Sequence, residues 1–286
     1  MTMKKNAVEL TNVHKKYGLF EALRGVSLLV PEGTIYGLLG PNGAGKSTTI
    51  KALVGAVGPT SGSVRILDRN PREDRAYVRR NIGYMPQYPA LYEDLTARQN
   101  ILFFGRLTHT EHLRKKVKAV LAFTELEAWA DKHVSTFSGG MKKRVSLACA
   151  MVHNPRILFL DEPTAAIDPE LKRKIWDMLR QLARTGVTIF VSTHLMDEAL
   201  LCDQLAILHQ GKVIATGEPE HIMHHGKAYL DIVQRGQLFS KTIQNTPYEL
   251  ANALKDFGLA SAVSSLNIHH DSLETIILDI IKQGHL

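Results

Sequence analysis

The run Gly40-Pro41-Asn42-Gly43-Ala44-Gly45-Lys46-Ser47-Thr48 constrains this chain more than any other stretch. It fits the phosphate-binding pattern of Gly, four residues, Gly, Lys and then Ser or Thr. The phosphates of a nucleotide are crowded anions, so a backbone that holds them must wrap around them and turn its N–H groups inward. Side chains obstruct that wrap, and glycines at 40, 43 and 45 tolerate the dihedral angles it needs. Lys46 then reaches the β- and γ-phosphates as a point charge, and the Ser47 hydroxyl suits Mg²⁺. Thr34–Leu39 reads as a buried strand entering the loop. Ser47–Val54 reads as a helix leaving it, with its positive end toward the anion.

Around this loop, strands and helices alternate. Strands are predicted at Val8–Leu10, Leu23–Val30, Gly62–Leu67, Ile82–Gln87, Arg156–Leu160 and Gly186–Val191, with helices at Arg72–Arg80 and Pro169–Ala183. From Thr96 to Val152 apolar residues recur at helical spacing, as in Ile101, Phe104 and Leu107 and then Val117, Val120 and Leu121. The expected fold is therefore α/β: a mostly parallel sheet covered by helices, with an N-terminal antiparallel β subdomain and a helical insertion over about residues 90–153. Residues 1–225 are expected to form this nucleotide-binding domain, and 226–286 a small α+β accessory unit. Within that tail, Tyr229–Val233 reads as a strand and Pro247–Phe257 as a helix. A final helix is expected to be capped by Asp271 and to carry an apolar stripe of Ile276, Ile277, Ile280 and Ile281.

With 44% hydrophobic residues among 286, the chain can bury a full core. No uncharged apolar run approaches the ~18 residues of a membrane-spanning helix. The opening Met1–Asn6 has basic residues but no apolar region behind them, so a signal peptide is not expected. Cys149 and Cys202 lie in apolar stretches without metal-ligand spacing, which points to buried thiols in a reducing compartment. The formal net charge of +7 divides into +8 ahead of Gly226 and −1 from there on. Its densest run, Arg114–Lys118, reads as a solvated helix face, and no helix-turn-helix or zinc-finger spacing supports a nucleic-acid partner. His221, His224, His225, His269 and His270 read as surface histidines, because no carboxylate or cysteine joins them in sequence.

Further residues bear on chemistry. Ile157–Leu160 is an all-apolar strand ending in Asp161 and Glu162, so it delivers two carboxylates to the sheet edge where the phosphate loop lies. Asp161 suits Mg²⁺, directly or through water, and Glu162 is placed to orient or deprotonate a water attacking the γ-phosphate. Ser138-Gly139-Gly140 precedes a helix whose N–H groups suit an anion. Gln87 closes a strand just before the helical insertion, and His194 follows a strand ending at the same edge.

In content and in order, these stretches resemble the ATP-binding-cassette ATPases over roughly residues 8–217. The resemblance implies ATP as substrate, with Tyr17 stacking on adenine and Gly40–Thr48 holding the phosphates. It also implies a lid role for Gln87, linking Mg²⁺ and the attacking water to the helical subdomain. Ser138, Gly139 and Gly140 would be the signature that meets the γ-phosphate of a second subunit, Glu162 the catalytic carboxylate, His194 the switch histidine, and Asp168 a loop aspartate crossing the dimer interface. The signature here reads Phe-Ser-Gly-Gly-Met where the family's usual form is Leu-Ser-Gly-Gly-Gln. Ser-Gly-Gly-Met followed by basic residues resembles the branch that exports antibiotics, polysaccharides or lipids. The partners implied are a second ATPase subunit and a separate transmembrane permease, docked near Gln87–Leu95. The chain would then sit peripherally on the cytoplasmic face of the membrane. Import, and a cassette uncoupled from transport, remain the alternatives at this point.

Overall fold

The computed structural model describes residues 5–257 and 263–283. A hairpin of β1 (Asn6–Tyr17) and β2 (Phe20–Pro31) opens the chain. Both strands run well past the apolar cores predicted for them. Backbone pairing interrupted by register shifts carries the ladder through polar residues as far as Tyr17 and Phe20. Next come β3 (Ile35–Leu39), α1 (Lys46–Leu53) and β4 (Ser61–Ile66). β4 pairs with β1 to complete an antiparallel sheet of order β2-β1-β4.

Helix α2 (Arg75–Asn81) starts three residues later than its charge pattern suggests. The reason is local: the Asn70 side chain accepts the Arg72 N–H in a turn that competes with helix. After β5 (Ile82–Met85) comes the insertion of α3 (Ala97–Leu107), α4 (Leu113–Phe123) and α5 (Gly139–Met151). Thr96 and Gln99 close a reciprocal capping box at the start of α3. Then follow β6 (Ile157–Asp161), α6 (Pro169–Arg184), β7 (Thr188–Thr193), α7 (Met196–Ala199), β8 (Gln204–His209), β9 (Lys212–Gly217) and α8 (Pro219–Met223).

The central sheet has the order β5-β6-β7-β3-β8-β9, parallel throughout except for β9. Its inner strands are covered on both faces, which is why they read as continuous apolar runs. Leu158 and Leu160 of β6 face the helical insertion and α6, whereas Ile157 and Phe159 face α1 and the N-terminal sheet. Phe190 alternates in the same way and stacks on Tyr36, with ring centroids 5.7 Å apart. Both cysteines are buried and unbridged, and burial pushes the Cys202 thiol up to about 12.

The tail comprises β10 (Lys227–Gln234), β11 (Gln237–Gln244), α9 (Pro247–Asp256), β12 (Val263–His270) and α10 (Leu273–Gln283). Its sheet, β11-β10-β12, is antiparallel and is backed by Leu250, Ala253 and Leu254 of α9. Helix α10 turns back onto the first 225 residues, where Leu273, Ile276, Ile277 and Ile280 pack with Leu205, Ile207, Ile214 and Ile222. The capping residue predicted for α10 is corrected. Ser272, not Asp271, accepts the Thr275 N–H, while Asp271 accepts from the Lys227 N–H and the Tyr229 hydroxyl. Asp271 is drawn away because it joins the helix start to β10.

Candidate active site

Parallel order puts the ends of β3, β6 and β7 at one edge of the sheet, and three loops meet there. The phosphate loop follows β3. Gly40 and Gly45 cannot be replaced in it without moving backbone: a Cβ at 40 meets the Leu208 carbonyl oxygen at 2.3 Å, and one at 45 meets the Ala22 carbonyl oxygen at 2.8 Å. Gly45 also sits at φ 111°, in the left-handed region. Helix α1 begins there with no side-chain cap and no acidic residue in its first turn, so its leading N–H groups face the loop unneutralised. Pro41, Asn42 and Gly43 are exposed at the loop's crest, Ala44 is buried beneath it, and Ser47 and Thr48 are half-buried.

Lys46 is 5% exposed and donates to the carbonyls of Gly40 (2.8 Å) and Pro41 (3.3 Å). Its ammonium also lies 3.3 Å from Glu162 Oε1. Glu162 is the hub of the edge. Gln87 Nε2 donates to Glu162 Oε2 at 3.1 Å, and His194 Nδ1 lies 3.3 Å from Oε1. That nitrogen is out of line for a hydrogen bond and stays buried without a partner. Neighbouring Asp161, 3% exposed, accepts from Ser192 Oγ. Three residues singled out from sequence, Lys46, Gln87 and His194, thus each come within contact of a fourth, Glu162.

Glu162 holds an uncommon backbone conformation, φ 49°. For a residue with a Cβ this costs on the order of 1–2 kcal/mol, so the surroundings must hold it. Its N–H is shared between the carbonyl (3.1 Å) and hydroxyl (3.2 Å) of Ser192. A second buried carboxylate braces the same region. Glu198, 1% exposed, accepts from the hydroxyls of Thr164 and Thr193 and pairs with Lys172 at 3.2 Å. It therefore ties the segment after Glu162 to the strand that carries His194. Neither Ser192 nor Glu198 stands out in the sequence. Ser192 lies in a buried strand, and Glu198 in a helix of mixed polarity.

The remaining candidates lie apart from this hub. Tyr17 is 46% exposed at the end of the β1–β2 hairpin, with the Lys15 ammonium 4.9 Å from its ring centroid. Ser138 caps α5 by accepting the Met141 N–H. Met141 packs with Ile167 and Leu171 against the core, an apolar role that a glutamine amide would not fill. Asp168 caps α6 by accepting the Leu171 N–H. Between α2–β5 and α3–α5 opens a groove of about 690 Å³. Leu91, Phe104 and Leu107 give it apolar walls, Arg79, Arg80 and His153 line it too, and no carboxylate does.

The donor set suits the groups that the sequence implies. Ser47 and Asp161 offer hydroxyl and carboxylate oxygens, the ligands of a hard divalent cation. The α1 terminus and Lys46 suit phosphate. Among the described residues no helix is long and apolar enough to cross a membrane.

Comparison with known proteins agrees with this geometry. The family profile described as ABC transporter matches residues 23–165. The Nod factor export ATP-binding protein I of Sinorhizobium fredii is 41% identical over 220 residues, a match spanning 76% of this chain and 64% of that protein. The protein of the same name from Burkholderia lata is 39% identical, over 79% of this chain and 75% of its own length. Among solved structures, the ATP-binding subunit of an ABC transporter superposes with a TM-score of 0.74 at 25% identity, covering 96% of this chain and 99% of that one. A dimeric ATP-binding cassette bound to ADP and Pi superposes at 0.67 with 31% identity, covering 74% and 98%. With the phosphate loop, the paired carboxylates and His194 gathered on one sheet edge, the chain belongs to the ABC transporter family, as one of its ATP-binding-cassette ATPases.

Proposed function

We propose that the chain hydrolyses ATP as one of a pair of copies and drives a separate membrane subunit that exports its cargo. The observation that carries this reading is the convergence of Lys46, Gln87 and His194 on the Glu162 carboxylate beside the phosphate loop. Glu162 takes a proton from the attacking water. The Gln87 amide, holding Oε2, leaves Oε1 turned toward the loop. Lys46 balances charge on the transferred phosphoryl group, and the His194 imidazole, partly exposed beside Glu162, donates to one of its oxygens. Ser47, Asp161 and Gln87 would hold Mg²⁺, which neutralises phosphate charge when bound. Tyr17 offers its ring to adenine.

Among the described residues the Ser138 hydroxyl bonds Met141, and open space lies beside Gly139, which suits a signature facing the nucleotide of a second copy. The nucleotide then binds the closed pair better than the open one, and hydrolysis removes that difference. The membrane subunit docks a short helix in the groove beside α3, which Ala90 and Leu91 line. The basic lining favours an acidic helix. This docking places the chain on the cytoplasmic face of the membrane. Export is favoured over import because the relatives described above are named for export.

Glu162→Gln tests the reading. Turnover is expected to fall by about 10²–10⁴-fold, the usual contribution of a general base, while nucleotide binding persists and an ATP-bound dimer accumulates on size exclusion. Near-normal turnover removes Glu162 from the mechanism.

A further inference from the structure

Lys143 is a buried lysine, 8% exposed, on the second turn of α5. Among the described residues it has no carboxylate within ion-pair distance. Its ammonium instead donates to two main-chain carbonyls, Glu162 at 3.0 Å and Ala165 at 2.6 Å. Burial holds its pKa below the ordinary lysine value, with the Glu162 and Glu198 carboxylates opposing the shift. A buried ammonium without a counter-ion is costly, and two carbonyl bonds offset only part of that cost. Packing alone does not explain it, since methionine would fill the same space.

The acceptors explain it better. Glu162 and Ala165 are the two ends of a single turn, closed by the Ala165 N–H on the Glu162 carbonyl at 3.3 Å. Ala166, which follows, again has positive φ, at 59°. Both carbonyls of this strained turn therefore converge on one cation. The Glu162 peptide is then held at both of its polar groups, the N–H by Ser192 and the C=O by Lys143.

We propose that Lys143 is a positioning residue for hydrolysis: it clamps the Glu162–Ala165 turn so that the Glu162 carboxylate stays aimed at the phosphate loop, and it ties that aim to the signature helix. The clamp sits five residues beyond Ser138, on the same rigid element. Movement of the signature helix is thereby transmitted to the direction of the base. The inference rests on Glu162 acting as that base.

The test compares Lys143→Met, Lys143→Gln and Glu162→Gln in the full chain, by steady-state ATPase kinetics, nucleotide titration and thermal melting. Lys143→Met removes both donors at similar volume, and it is expected to lower kcat by about tenfold or more, while KM and nucleotide affinity change by less than about threefold. Lys143→Gln restores donors without charge and is expected to recover part of the loss. Should the methionine variant fail to fold, the glutamine variant is judged by the same split. A kcat within twofold of wild type in the folded variant overturns the proposal, as does a loss of affinity in step with turnover. In either of those cases an inactive Glu162→Gln leaves the base assignment standing. An active Glu162→Gln removes the base, and the clamp's role with it.

Discussion

The central sheet is built from shorter strands than the tail sheet, and the two differ in what covers them. Every residue of β3, β6 and β7 is buried, because helices or a second sheet lie on both faces. In β11 and β12 most residues are exposed, and only one helix backs the sheet. A strand closed in on both sides has one position available to it. Whatever chemistry sits at its end is therefore held by the strand itself, as Asp161 and Glu162 are. A half-covered strand keeps more freedom and suits contact better than catalysis. Accordingly, Lys46, Glu162 and His194 stand just beyond the ends of the fully enclosed strands β3, β6 and β7.

The largest effect that could break this contrast is a core truncation. Phe159→Ala is expected to cost about 3–5 kcal/mol, the usual range for a buried phenylalanine, read as a drop in the urea midpoint. A cost below about 1 kcal/mol would mean that the central strands are less locked than their burial implies. Next comes Ile276→Ala on α10, expected to cost about 2–4 kcal/mol. Its packing with Leu205 and Ile207 predicts that the loss falls on the main unfolding transition. A separate early transition of the tail, with the main one unmoved, would show that α10 belongs energetically to the tail sheet.

The smallest effect concerns pH. His153 donates to the Ile82 carbonyl at 2.9 Å, and burial holds its imidazolium below the ordinary value despite that bond. The unfolded chain then binds a proton that the folded chain resists, so this contribution is intact above the unfolded histidine pKa of about 6.5 and is lost as pH falls below it. Wild type should lose stability between pH 7 and pH 5 more steeply than His153→Gln. Parallel slopes would show that the ring is not confined by its groove.

How much of this was legible in the sequence follows the same divide. The phosphate loop could be read because its glycines and lysine serve a ligand and appear together in the chain. Asp161 and Glu162 could be read because an all-apolar strand has to be central. Lys143, Ser192 and Glu198 could not, since each acts through partners distant in sequence. Lys143 in particular sits in a basic run, Lys142–Arg144, that looks like solvated surface. In the tail only β10 showed alternation. β11 and β12 place serines, threonine and histidines on largely exposed faces, so no two-residue period marks them. Sequence alone places the cap of α10 one residue early because Asp271 and Ser272 are both good caps, and the contact that decides between them lies with Lys227 and Tyr229.

Strand β3 lies between β7 and β8, with parallel neighbours on each side. The floor beneath the triphosphate is thus a keystone: it cannot slide without dragging along the strand that leads to His194 or the one that backs Gly40. In the function proposed above, a molecular stroke that starts at the nucleotide would then leave through the rim, where Gln87 leads into the helical insertion. Force would reach a membrane partner through a few helices turning against an anvil.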